Sequence, residues 1–178
     1  MIYIRLIILT FMCIKQGIII YEFNSDTTLK RWRIVNDVVM GGKSTSTLTL
    51  DNQQNGVFSG YVSIENNGGF SSIQLDTDKI TVGTLKKINL IVKGDGGIFQ
   101  FRIKNNNNEY YSYVYNFNTN GNWETISIPL TEMKPSFRGN SLELPNFNHN
   151  TIESVGILKS SKINSEFKII IKSINLTK

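Results

Sequence analysis

A chain of 178 residues with 40% hydrophobic and 19% charged residues has the makeup of one globular domain, large enough to bury a core without a covalent staple. The formal charge of +5 falls to +3 over residues 21–178 once Arg5 and Lys15 are set aside, and the basic stripe of a nucleic-acid-binding protein is missing. Cys13 is the single cysteine, so residues 21–178 hold no disulfide, zinc–thiolate site or cysteine nucleophile.

Residues 1–20 read as an apolar leader, with a nine-residue apolar core from Leu6 to Ile14 that is interrupted only by Thr10 and follows Arg5. That is too short to span a bilayer, for which about 20 apolar residues are needed. The length and basic flank fit a signal peptide and an exported or membrane-associated protein. The alternative is a first strand behind an uncleaved tail, in a cytoplasmic or organellar protein. Ser25 is placed to cap a short helix over residues 25–30.

From residue 21 onward the pattern has period two, the mark of half-buried strands. Leu48 and Leu50 alternate with Thr47 and Thr49, and Phe58, Val62 and Ile64 share a face with Gly60. Phe99, Phe101 and Ile103 form one row, and Tyr111, Tyr113, Tyr115 and Phe117 form an aromatic one. Ile126, Ile128 and Leu130 repeat the device, as do Phe167, Ile169 and Ile171. Clusters of Asn and Gly at 66–69, 94–97, 105–108 and 118–121 punctuate these runs as turns. About ten strands without a long amphipathic helix predict a single all-β domain, a β-sandwich or jelly roll.

Little here is suited to chemistry. His149 is the sole histidine and sits in a stretch, residues 145–150, that reads as a solvated loop. No carboxylate pair is singled out for acid–base work, and the Gly-x-Ser-x-Gly elbow is missing. Gly94-Asp95-Gly96-Gly97 lies between two strands, whereas a dinucleotide fingerprint leads into a helix. The expectation is a protein that is not an enzyme, with no catalytic residues, cofactor or metal.

Four segments resemble the complex I intermediate-associated protein 30 family. The first is Trp32-Arg33-Ile34-Val35-Asn36-Asp37-Val38-Val39-Met40-Gly41-Gly42-Lys43-Ser44. The second runs from Phe58-Ser59-Gly60 into Glu65-Asn66-Asn67-Gly68-Gly69-Phe70-Ser71-Ser72. The third is Gly94-Asp95-Gly96 with Tyr113, Phe117 and Trp123 behind it, and the fourth runs from Pro129-Leu130 through Met133 to Pro135-Ser136-Phe137-Arg138-Gly139. Gln74 and Met133 depart from the family pattern, which often has Arg and an aromatic there.

The resemblance implies a galactose-binding-like jelly-roll sandwich and a non-catalytic, chaperone-like assembly factor that contacts protein partners, membrane or respiratory-complex subunits among them. The alternative is a carbohydrate-binding module of the cell envelope. The candidate partner surface is Trp32, Asn36, Asp37, Met40 and Arg138. Each has a plainer reading beside it. Asp37 could cap buried N–H groups in a turn, Trp32 and Met40 are good core fillers, and Arg138 could pair with Asp37 or Asp95 to fix a loop. The tyrosine row could be a sugar platform, or one face of a core strand.

Overall fold

The structure, a computed structural model, describes residues 17–26 and 28–178. The leader, apart from its last four residues, lies outside this range, as does Thr27. Thirteen strands form two stacked sheets, a jelly-roll sandwich with no α-helix among the described residues. In chain order they are β1 (Gly17–Glu22), β2 (Trp32–Asn36), β3 (Thr45–Leu50), β4 (Gly56–Val62), β5 (Phe70–Thr81), β6 (Lys87–Lys93) and β7 (Ile98–Lys104). They continue with β8 (Ser112–Asn118), β9 (Glu124–Pro129), β10 (Lys134–Phe137), β11 (Asn140–Ser141), β12 (Thr151–Ser160) and β13 (Ser165–Thr177).

Residues 17–20, which the sequence reads either as the end of a leader or as a first strand, belong to β1, which pairs with the far half of β13. One feature beside it differs from the sequence reading. The short helix is a single 3₁₀ turn at Leu29–Arg31, and its N-cap is Thr28 rather than Ser25, without a side-chain hydrogen bond. In place of a cap, the Asn24 side chain accepts the N–H of Asp26 at 2.9 Å and tightens the chain into a local turn.

The sheets run antiparallel in the orders β3-β4-β13-β6-β9, with β1 also on β13, and β11-β10-β8-β7-β12-β5-β2. Alternation places one face of each sheet in the core. Phe99, Phe101 and Ile103 of β7 pair with Phe117, Tyr115 and Tyr113 of β8, so the aromatic row packs inward beside the phenylalanine row. Facing them from the other sheet are Phe58, Ile88, Leu90, Ile128, Phe167 and Ile169, all buried. Burial of each such side chain stabilises by about 1.5–3 kcal/mol.

One strand breaks its own alternation. In β13 the inward residues are Phe167, Ile169 and Ile171, then Ile174 and Leu176, a switch from odd to even numbers. The register shifts between Ile171 and Ser173, which makes Lys172 the extra residue of a β-bulge. At this point the strand exchanges its neighbour β4 for β1, and the Lys172 carbonyl accepts the N–H of Phe23 at 2.9 Å.

Candidate functional site

The connection from β2 to β3 carries the longest unusual segment of the sequence, and its organising residue is Asp37. Asp37 opens a 3₁₀ turn, Asp37–Met40, that Gly41 ends in a left-handed conformation at φ 90°. The Asp37 side chain is buried and accepts the N–H of Ser44 at 2.9 Å, of Gly69 at 2.7 Å and of Phe70 at 3.2 Å, as well as the Ser44 hydroxyl. Burial alone would raise its pKa, but the bonds from Ser44, Gly69 and Phe70 outweigh that and hold the carboxyl below the ordinary value.

Two glycines make room for the carboxylate. A Cβ on Gly42 would stand 2.3 Å from one carboxylate oxygen, and one on Gly68 2.6 Å from the other. Asn36 adds a second clasp, its side-chain oxygen accepting the hydroxyls of Ser46 at 2.9 Å and Ser71 at 2.6 Å. The first two signature segments, 32–44 and 58–72, therefore meet in one polar knot.

The knot presents what lies between its ends. Val38, Val39 and Met40 are 58%, 75% and 60% exposed on the turn that Asp37 clamps. Ile64 and Ile163 are exposed at the same end of the sandwich, tied there by the Ile64 N–H to the Asn164 side chain and the Ser161 N–H to the Gly69 carbonyl. This end of the domain carries apolar side chains in water, over a base of buried hydrogen bonds.

The five candidate residues do not form one surface. Trp32 is 7% exposed and packs with Tyr21 and Phe23 at centroid distances of 5.2 and 5.6 Å, so it belongs to the core. Asp37 and Asn36 lie beneath the exposed turn and support it, and Met40 alone of the five is on its surface. Arg138 is elsewhere. It sits with Gly139 in the two-residue turn between β10 and β11, at φ 49°, with its guanidinium 5.2 Å from the Phe137 ring. β2 and β11 are the opposite edges of the seven-stranded sheet, so five strand spacings of about 4.8 Å separate β10 from β2. Arg138 thus pairs with neither Asp37 nor Asp95. The Asp95 oxygens accept the N–H groups of Gly97 at 2.8 Å and Lys168 at 2.9 Å.

The 145–150 segment also differs from a solvated loop. Phe147 is buried, and His149 Nε2 lies 2.7 Å from the Tyr113 hydroxyl, which is itself 3.4 Å from that of Tyr111. Burial, and then Tyr111, push the Tyr113 phenol well above its ordinary pKa, so it stays protonated and acts as a structural hydrogen-bond partner. Among the described residues no group of three His, Cys, Asp or Glu could hold a metal ion, and no helix is long and apolar enough to cross a membrane.

A groove that sequence reading missed lies on the six-stranded sheet, at the β13 bulge. It is lined by Phe23, Gln53, Gln54, Ile91, Trp123 and Lys172 among others, with a volume of about 640 Å³. The exposed Trp123 was visible as a residue; the bulge and strand exchange that open the groove beside it had no local signal.

Comparison with known proteins separates the family from the function. A sequence model of the family described as complex I intermediate-associated protein 30 matches residues 21–171. The chain belongs to that family. No curated protein matches this family member closely enough to count as a relative. Among solved structures, it is similar to the family 11 carbohydrate-binding module of the cellulosomal cellulase Lic26A-Cel5E of Clostridium thermocellum. That pair shares 15% identity and a TM-score of 0.66 over 90% of this chain and 94% of that one. The family 11 module of the same organism in complex with a β-1,3-1,4-mixed-linked tetrasaccharide gives 16% identity and a TM-score of 0.64, over 90% and 95% of the two chains. A family 29 carbohydrate-binding module, CBM29-2, gives 10% and 0.52, over 90% and 91%. At such identities the likeness shows a shared jelly-roll fold.

Proposed function

We propose that this member of the complex I intermediate-associated protein 30 family is a non-catalytic binding module. Its partners are proteins, and its role is to assist assembly of a membrane-bound respiratory complex of the complex I type. The observation that carries this reading is the exposed Val38-Val39-Met40 turn, clamped from below by the buried Asp37. Apolar side chains held in water on a rigid base are what a partner's apolar groove takes up, because their entropy of ordering is already spent. The family membership supplies the class of partner.

The test is a mild cross-link and affinity capture with the tagged full chain from its own cells. Subunits of complex I or of its membrane intermediates are expected with the wild-type chain and lost with Val39→Asp, at unchanged melting temperature. Failure of the wild type to capture any such subunit, or equal capture by Val39→Asp, overturns the reading.

The second reading, a carbohydrate-binding module of the envelope, has a separate observation in its favour in the groove beside Trp123.

A further inference from the structure

The groove at the β13 bulge has walls of two kinds. On one side is the β3–β4 turn, fixed by Asp51, whose side chain accepts the N–H groups of Gln53 and Asn55 at 2.8 Å each and the Asn55 amide at 3.1 Å. Within that turn Gln54 takes φ 63°, a left-handed conformation that non-glycine residues seldom adopt and that persists where the surroundings impose it. The side-chain amides of Gln53 and Gln54 make no hydrogen bond among the described residues. On the other side is Trp123, 43% exposed, on the outer face of the sheet beside Ile91. Lys172, the bulged residue, and Glu22 are its charged lining residues, one of each sign.

We propose that this groove binds a neutral saccharide, with a pyranose ring laid against the Trp123 indole and its hydroxyls taken by the amides of Gln53 and Gln54. An amide offers donors and an acceptor together, which is what a sugar hydroxyl needs. An indole offers a broad, rigid apolar face for the C–H side of the ring. The volume lies within the roughly 300–1,000 Å³ of ordinary small-ligand sites. Opposed charges of equal number favour an uncharged ligand over a polyanion. The strands of the floor, β13 and β6, are paired on both edges, which leaves no backbone edge there for an added peptide strand. The proposal deepens the carbohydrate reading and is independent of docking through Val39.

The chain has two tryptophans; Trp32 is buried, so acrylamide quenching reports Trp123, and the emission of Trp123→Ala gives the Trp32 background to subtract. The full chain is titrated with neutral cello-, manno-, xylo- and galacto-oligosaccharides to millimolar concentration, with oligogalacturonate as the acidic comparison. A saturable blue shift and protection from acrylamide are expected with one neutral series. By calorimetry Trp123→Ala weakens binding at least about tenfold, and Gln54→Ala weakens it while the fold is kept. Neutral saccharide binding that survives Trp123→Ala overturns the site and leaves the carbohydrate reading standing. No binding to any neutral series overturns both. Binding of the acidic oligomer alone overturns the assignment of a neutral ligand.

Discussion

The Asp37 carboxylate accepts the N–H of Gly69 at 2.7 Å, joining positions 32 residues apart in the chain. With Ser44 and Phe70 it satisfies three backbone N–H groups at once. Asp37→Ala leaves buried donors without a partner and is expected to cost about 2–4 kcal/mol, read by denaturant unfolding. Asp37→Asn keeps one acceptor oxygen for Gly69 and Phe70 but sets its NH₂ against the Ser44 N–H, so it recovers only part of that loss.

The same bonds set a pH dependence. The folded pKa of Asp37 is depressed below its unfolded value, so its stabilisation is complete above the unfolded value of 3.8 and is lost as pH falls through the lower folded value. Unfolding midpoints measured from pH 6 downward should fall in acid for the wild type. In Asp37→Asn the acid-dependent part of that fall should shrink.

Gly42→Ala and Gly68→Ala each drive a methyl group into the Asp37 carboxylate. Both are expected to destabilise by about 1–3 kcal/mol, the usual range for overpacking. Each paired with Asp37→Ala should lose less than the sum of the singles, and the saving should be larger at Gly42, because a Cβ on Gly68 still meets the carbonyl oxygens of Ser63 and Glu65 at 2.7 and 2.9 Å. Double-mutant cycles measure this.

Substitutions on the exposed turn should behave in the opposite way. Val38→Asp and Met40→Asp remove no buried contact, and their effect on stability is expected within about 0.5 kcal/mol. Capture of the partner should drop by tenfold or more if the turn is the docking surface.

Arg138 occupies a left-handed position followed by Gly139 at φ 82°. Two-residue hairpins of this shape favour Asn-Gly. Arg138→Asn should therefore raise stability by about 0.5–1 kcal/mol, and Arg138→Ala should leave capture through the distant Val39 turn untouched. Thermal melts and the capture assay read the two effects.

Much of the architecture was legible because a half-buried strand writes its period into the sequence. The rows Phe99–Ile103 and Tyr113–Phe117 face inward as their alternation predicts. β1 was legible only as one of two alternatives, because an apolar run cannot distinguish a strand from a targeting segment. β10 and β11 are too short to show a period. At the site, Asp37 as a cap followed from Asn, Asp and Gly chemistry in one segment. Its partners 69 and 70 could not be found that way, because which loops meet is decided by sheet topology. Arg138 was grouped with Asp37 for the same reason, although the two lie at opposite edges of one sheet.

β13 comes last in chain order among the described strands and is the one on which the six-stranded sheet is built, with β6 on one flank and β4 and β1 on the other. While residues 165–177 are still inside the ribosome, β4 and β6 each expose an unpaired edge and an apolar face. Completion of this sheet therefore waits for the whole domain to emerge. A message truncated within β13 yields a chain with open strand edges, the form most exposed to aggregation and to quality control.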